Sequence, residues 1–216
     1  MILSVDTTSE YGSLALTEGD RTVEEIPLHS PDGFGHILFQ RIGLLLARHQ
    51  AAVDRMDCFA ATSGPGSFTG VRVGLTAVKG LAEATGKRVV AVSNLRALAF
   101  FGTARLRATV LDARRGEVYG ALYNDRLEIV IPETVMKFSA WLKTLPPDGF
   151  EFIATDFSPF RASADPNLPV IVAPRALAAA IGCIASNEFQ RGRAGDPAQI
   201  DANYVRRADA ELFWKE

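Results

Sequence analysis

Two short stretches of this chain gather residue types that could handle a phosphate or a metal ion. The first is Asp6-Thr7-Thr8-Ser9, followed by Gly12-Ser13. It sets a carboxylate and hydroxyls in a tight turn between two strands, where backbone amides could grip a phosphate or magnesium. The same residues are also ordinary turn formers, so both readings stand. The second stretch runs from Ser63 through Gly64-Pro65-Gly66 and Gly70 to Gly74, with glycines ahead of a helix whose first amides favour anions. Its spacing refuses the familiar nucleotide motifs. A Walker loop needs Lys and then Ser or Thr directly after its last glycine, yet Val71 and Arg72 follow Gly70. The pattern GxGxxG meets Thr69 where its third glycine belongs. Gly70, Gly74, Ala77, Gly80 and Ala84 instead put small residues on neighbouring turns, a spacing that lets another helix approach closely, and packing outweighs anion binding as the expectation.

Other constellations are weaker. Cys58 and Cys183 are the two cysteines, far apart and each followed by an apolar residue. They form no disulfide framework or CxxC knuckle and are expected as buried free thiols. Catalytic triads can be written on paper from Ser63, Ser67 or either cysteine, but no GxSxG elbow occurs.

The elements that must position these residues follow from periodicity. The 216 residues are 48% hydrophobic and 22% charged, enough apolar mass for one domain or two compact lobes. A formal charge of −2 offers no global attraction for nucleic acid, so any RNA contact must be local or mediated. The apolar start without a basic flank, and the lack of any apolar run of ~20 residues, lead us to expect a cytoplasmic chain with no membrane segment. An antiparallel meander is expected over residues 2–28, a helix over 36–49 too apolar for a single stripe, a strand over 58–62, a helix over 71–85 and a strand over 88–92. Asn94 reads as the N-cap of a helix reaching about Phe101. The basic stretch 102–107 marks a lobe boundary, giving lobes 1–104 and 105–216, with the C-terminal helix or tail crossing back. The second half restarts with strands near 108–111, 118–123 and 127–131, turning at Arg114-Arg115-Gly116 and Asn124-Asp125. A helix over 134–145, strands over 150–155 and 170–173, and an Ala-rich helix over 174–189 with Pro174 in its first turn complete it. Both halves share the order strands, helix, strand, helix, which suggests a duplicated α/β unit.

The stretch Ser63 to Gly74, followed by Ala77-Val-Lys-Gly-Leu-Ala82, resembles the signature of the TsaB (YeaZ) family of the tRNA threonylcarbamoyladenosine machinery, once classed as M22 glycopeptidases. Asp112-Ala-Arg-Arg-Gly-Glu-Val-Tyr119 is similar to a second family motif, and the Asp6-Thr7-Thr8 start and the Tyr204-Val205-Arg206 tail extend the likeness over essentially the whole chain. Ala202 departs from the proline frequent near this tail. The Asp6 hairpin itself resembles the first phosphate loop of the actin, hexokinase and Hsp70 superfamily.

The resemblance implies an α/β fold of two actin-like, ribonuclease-H-like (ASKHA) lobes, mixed sheets flanked by helices, the second lobe reduced. It implies a non-catalytic partner subunit that activates TsaD, the transferase that puts the threonylcarbamoyl group on N6 of adenosine 37 in tRNAs reading codons that begin with A. The ATPase TsaE would join the pair, the chain alone would form a homodimer, and tRNA would be reached through the complex. No catalytic residue, metal or cofactor is expected on this chain. ATP would be used by the partners, with Asp6, Thr7 and Thr8 as the weak candidates should nucleotide bind at a complex interface. TsaD carries His-x-x-x-His on its first helix, whereas His36 is followed four residues on by Gln40, and one ligand cannot make that site. The strand end Ala154-Thr155-Asp156-Phe157 lacks the glycine of a second phosphate loop. The rival is an enzyme, a nucleotide-dependent phosphotransferase or an M22-type metallopeptidase using Asp6 and the Ser63 loop. The expected partner face comprises Phe39, Gly43, Leu46, Gly70, Val73, Gly74, Ala77 and Gly80. The arginine pairs 105/107, 114/115, 191/193 and 206/207 could make an RNA-facing patch or simply a solvated surface.

Overall fold

A computed structural model describes residues 1–206 of the chain. In chain order the strands and helices are β1 (Ile2–Asp6), β2 (Tyr11–Glu18), β3 (Arg21–His29), α1 (Leu38–Arg48), β4 (Cys58–Gly64), α2 (Phe68–Thr85), β5 (Arg88–Ser93), α3 (Asn94–Ala99), β6 (Leu106–Asp112), β7 (Glu117–Asn124), β8 (Ile129–Lys137), α4 (Phe138–Leu142), β9 (Phe150–Ala154), β10 (Val170–Val172) and α5 (Ala178–Gln190). They divide into two compact units, Met1–Asn94 with Arg175–Ala202, and Leu95–Pro174 with the described residues from Asn203 onward.

Each unit holds a five-stranded mixed sheet, ordered β3-β2-β1-β4-β5 in the first and β10-β9-β6-β7-β8 in the second. In both, a three-stranded antiparallel meander is extended by two parallel strands added beside its first strand. The order of elements repeated in the sequence is therefore a repeated sheet.

In the first unit the strand alternation sends chemically different side chains to the two faces. Leu3, Val5, Leu14 and Leu16 point into a core shared with Leu38, Ile42 and Leu45 of α1 and Val71, Leu75 and Val78 of α2. Ser4, Ser13, Ala15 and Thr17 lie on the other face, in register across β1 and β2. That face is small and polar, and it receives the Ala-rich α5. Ser4 Oγ donates to the Ala178 carbonyl at 2.7 Å. A Cβ added at Gly182 would stand 2.6 Å from Thr17 Cγ2. Small residues meet small residues there, and the helix lies close on the strands.

The start of α5 differs from the expectation of a helix beginning at Pro174. It starts at Ala178 because its free amides are capped from the sheet. Ser13 Oγ accepts from Leu177 N (3.0 Å) and Ala178 N (2.9 Å), and Glu25 Oε1 accepts from Ala179 N (2.8 Å). A second correction concerns residues 134–145. Thr134–Lys137 continue β8, and only Phe138–Leu142 are helical. The β-branched Val130, Ile131, Thr134 and Val135 suit a strand, and pairing with β7 reaches Glu117↔Lys137. Pro132 is tolerated because β8 lies at the sheet edge.

The second unit is filled by aromatic rings. Phe138, Trp141, Phe152, Phe157 and Phe160 form one cluster with centroid separations of 4.8–6.3 Å. Gly120 leaves the space that the Trp141 indole fills. The β6–β7 turn is built on three consecutive left-handed residues, Arg114 (φ 66°), Arg115 (φ 55°) and Gly116 (φ 70°). The first two carry a steric cost of ~1–2 kcal/mol each relative to glycine. Asp112 Oδ1 holds the turn by accepting from Arg114 N at 2.7 Å.

The helix glycines give opposing expectations. Gly182→Ala should cost ~1–3 kcal/mol, because its methyl group meets Thr17 and Ser4. Gly80→Ala, in an exposed stretch of α2 with nothing within 4 Å of the new Cβ, should stabilise by ~0.5–1 kcal/mol. Urea unfolding of both variants beside the parent chain checks the pair. Equal midpoints would contradict the close α5 packing.

Candidate functional site

The two chemically suggestive stretches form one assembly in the first unit. The β1–β2 turn carries Asp6, Thr7 and Thr8, and the loop between β4 and α2 lies directly on it. Ser67 N donates to the Thr8 carbonyl at 2.7 Å, and Thr7 Oγ1 donates to the Gly70 carbonyl at 2.7 Å. The glycines of the loop are what permit this. A Cβ at Gly66 would lie 2.7 Å from Thr8 Cβ, one at Gly74 would lie 2.6 Å from Thr7 Oγ1, and one at Gly70 would overlap the Thr7 carbonyl. Gly70 and Gly74 thus space the helix from its own hairpin. Ser67 caps α2, its Oγ accepting from Gly70 N at 3.2 Å.

Asp6 sits at the centre, 2% exposed. Its Oδ1 accepts from Thr8 N (3.0 Å), Thr8 Oγ1 (2.7 Å) and Thr62 Oγ1 (3.1 Å). Asn94 Nδ2 donates to Thr8 Oγ1 at 2.6 Å. The expectation that Asn94 caps its helix is corrected by this contact, since its side-chain amide turns to the Asp6 cluster and its Oδ1 is buried without a hydrogen-bond partner. Thr62 and Asn94 are the members that sequence reasoning missed. Both stand at the ends of strands parallel to β1, and that adjacency was the available signal. Burial outweighs these hydrogen bonds and pushes the Asp6 carboxyl above the usual carboxylate range. Glu25, at the α5 cap, is raised for the same reason. The hydroxyls of Thr7, Thr8 and Thr62 are each spent on protein atoms, and Ser9 Oγ is spent on Tyr11.

Beyond the hairpin, no group of three or more His, Cys, Asp and Glu among the described residues is arranged to hold a metal. His36 is exposed ahead of α1, His49 Nε2 lies 2.6 Å from Glu24, and the His29 ring stacks on Tyr11 at 4.7 Å. Cys58 is buried and its thiol is pushed up to about 12 by desolvation. Cys183 is only half-buried, contrary to expectation, because it lies on the side of α5 near the Asp20 carbonyl. In the second unit Thr155, Asp156, Phe157 and Arg161 line a cavity of about 400 Å³ at the ends of β9 and β10, and Asp156 Oδ1 caps Ser158 N at 2.9 Å.

The expected partner face separates into three groups. Phe39, Val73 and Ala77 line a groove of about 460 Å³ between α1 and α2, together with Phe68, Arg72 and Thr76. Phe39 is 59% and Phe68 46% exposed, and the Arg72 guanidinium lies 3.8 Å over the Phe68 ring. Gly43 and Gly80 are exposed, with open space around them. Leu46 and Gly74 are buried and Gly70 faces Thr7, so these three belong to the interior. Helical phase accounts for the difference. Leu46 shares the buried stripe of Leu38, Ile42 and Leu45, leaving Phe39 and Leu44 on the solvent side. Among the arginine pairs, Arg107 donates to the Ala99 and Ala104 carbonyls, Arg193 pairs with Glu188 and Arg206 with Glu117, while Arg207 lies outside the described residues.

Two duplicated meander-plus-parallel sheets flanked by helices are the architecture of actin-like, ribonuclease-H-like proteins. Residues 33–168 match the family model described as TsaD, tRNA N6-adenosine threonylcarbamoyltransferase, and the chain belongs to this TsaD/TsaB family. Its curated relatives include the tRNA threonylcarbamoyladenosine biosynthesis protein TsaB of Bacillus subtilis, 33% identical over 149 residues covering 67% of this chain and 65% of that protein. The Escherichia coli protein of the same name is 33% identical over 126 residues, 56% of this chain and 54% of its own. The chain thus matches between about half and two-thirds of the length of these relatives. A solved structure titled YeaZ from Pseudomonas aeruginosa superposes with a TM-score of 0.79 at 26% identity, covering 94% of this chain and 98% of that one. Another from that organism, described as similar to peptidase YEAZ, gives 0.80 at 26% identity, covering 95% and 99%.

The buried carboxyl gives a signed pH dependence. A carboxyl whose folded-state pKa is raised contributes stability below its unfolded value near 3.8, and that contribution is lost as pH rises through the folded value. Asp6→Asn should therefore gain on the parent chain as pH increases, with the difference in thermal midpoint more favourable to the variant at pH 7 than at pH 4. Thermal melts across that range check it. A difference that moved the other way would show the carboxylate to be stabilised by its site.

Proposed function

We propose that the chain is a non-catalytic partner subunit of the tRNA N6-threonylcarbamoyladenosine (t6A37) modification complex and activates a TsaD-type transferase. The observation that carries this is the α1–α2 groove, where Phe39 and Phe68 leave 59% and 46% of their surface in water. Large exposed aromatics beside a groove are the anchor type of protein interfaces. The Arg72 guanidinium over Phe68 supplies a polar rim. Family membership supplies the class of partner. Alone, the same face serves a homodimer; in the complex it takes the transferase, a TsaE-type ATPase joins, and tRNA is reached through the assembly.

The chain carries no cofactor of its own in this reading. The Asp6 hairpin is the place where the fold would hold magnesium and nucleotide, and the carboxyl Oδ1 and the threonine hydroxyls there already have protein partners. A carboxyl that burial pushes toward its neutral form is a poor cation ligand. ATP is consumed by the partners. No helix among the described residues is long and apolar enough to cross a membrane, and the cytoplasm, where tRNA is modified, is the place of action.

The double variant Phe39→Glu with Thr76→Arg tests the surface, since both side chains are exposed and line the groove. It should fold normally by circular dichroism, bind TsaD ~30-fold more weakly, equivalent to about 2 kcal/mol, and lose stimulation of t6A formation in a reconstituted assay. Undiminished TsaD binding would remove the groove from the interface. Tight stoichiometric binding of magnesium-ATP by the isolated chain in calorimetry would overturn the cofactor-free role.

A further inference from the structure

The β6–β7 turn contradicts local turn chemistry. Three consecutive left-handed positions favour Gly or Asn, yet two of them are Arg114 and Arg115. Both side chains are exposed. Elsewhere in the chain Arg48 pairs with Glu24, Arg107 donates to the Ala99 carbonyl and Arg175 lies over the Tyr11 ring. Arg114 has no acidic side-chain partner among the described residues. The backbone of this turn is held from two sides. Asp112 Oδ1 accepts from Arg114 N, and Lys137 Nζ donates to the Arg115 carbonyl at 2.5 Å, placing a third exposed cation beside the two arginines. Arg206 pairs with Glu117 at the turn's end. Among the described residues of the turn and its immediate contacts, Arg114, Arg115, Lys137 and Arg206 stand beside the carboxylates of Asp112 and Glu117, in a chain whose formal charge is −2.

We propose that the Arg114-Arg115 turn with Lys137 contacts the sugar-phosphate backbone of RNA. The inference rests on the reading of the chain as a subunit of a tRNA-modifying complex. Local rules are broken where a side chain does something beyond its own fold, and Arg114, kept exposed at a position that disfavours it, presents its guanidinium to an outside anion with the exposed Arg115 and Lys137 beside it. Arginine's planar fork suits phosphate oxygens, and backbone contacts position RNA without reading its sequence. The turn's own residues, from Asp112 to Glu117, include no large apolar side chain. It therefore lacks the anchor of a protein interface, which this chain instead carries on α1 and α2.

The test uses Arg114→Asn with Arg115→Asn in the full chain, since asparagine tolerates left-handed backbone. The thermal midpoint should rise, because the strained arginines are gone. Binding of an unmodified tRNA transcript, followed by fluorescence anisotropy with the isolated chain at low salt and with the TsaD complex, should weaken about tenfold, and the slope of log affinity against log salt should shrink by about 1–2. In the reconstituted assay KM for tRNA should rise while kcat and TsaD affinity hold. Arg114→Lys with Arg115→Lys should keep most of the salt slope. Unchanged tRNA affinity and slope in the asparagine variant would overturn the proposal. So would a loss of TsaD affinity at constant tRNA affinity, which would make the turn a protein contact. If the parent chain fails to stimulate TsaD at all, the functional reading falls, and the anisotropy series on the isolated chain still decides the turn.

Discussion

The close approach of the β1–β2 turn to the start of α2 is the constraint on which the first unit depends. Gly66, Gly70 and Gly74 bring a helix within hydrogen-bonding distance of Thr7 and Thr8, and that proximity in turn shuts the Asp6 carboxyl away from water. Once Asp6 is buried, its Oδ1 is held from within by Thr8 and Thr62, and Asn94 joins the hairpin by donating to Thr8 Oγ1. A motif that could cradle an anion becomes a sealed polar knot. Side chains of α2 that do not face the knot or the core, Phe68, Arg72 and Thr76, are turned outward into the groove.

Much of this was legible in the sequence because it rests on periodicity. The doubled order of elements, the strands and turns of the first unit and the family likeness all follow from local pattern. The failures have local causes of their own. Residues 134–137 show apolar spacing compatible with a helix turn, and only pairing with β7 makes them a strand. Pro174 looks like a helix start, yet the amides of α5 are capped by Ser13 and Glu25, distant in sequence and therefore invisible to any window. The residues of the expected partner face divide between interior and groove for a similar reason. Small residues on α2 signal close approach, but the chain does not say whether the approaching group is another subunit or its own turn; Gly70 and Gly74 meet Thr7, whereas Val73 and Ala77 line the groove.

The two sheets share a topology and solve their cores in opposite ways. In the first unit the α5 face is built of Ser, Thr, Ala and Gly, a close-packed contact in which a single methyl group is consequential. In the second, whose described helices α3 and α4 are both short, Trp141 and four phenylalanines fill the core. The same backbone plan is thus completed by helix where side chains are small, and by rings where helix is scarce.

The placement of α5 has a consequence for how the chain acquires its structure. The segment Leu95–Pro174 is continuous, so its sheet can form as soon as it emerges from the ribosome. The first sheet, although synthesised earlier, keeps its Ser4–Thr17 side uncovered until residues 178–190 arrive. Contacts of such long sequence separation form slowly, and during synthesis the exposed face of a nascent sheet is where mispairing with other chains begins. Of the two sheets, the one made first is the one covered last.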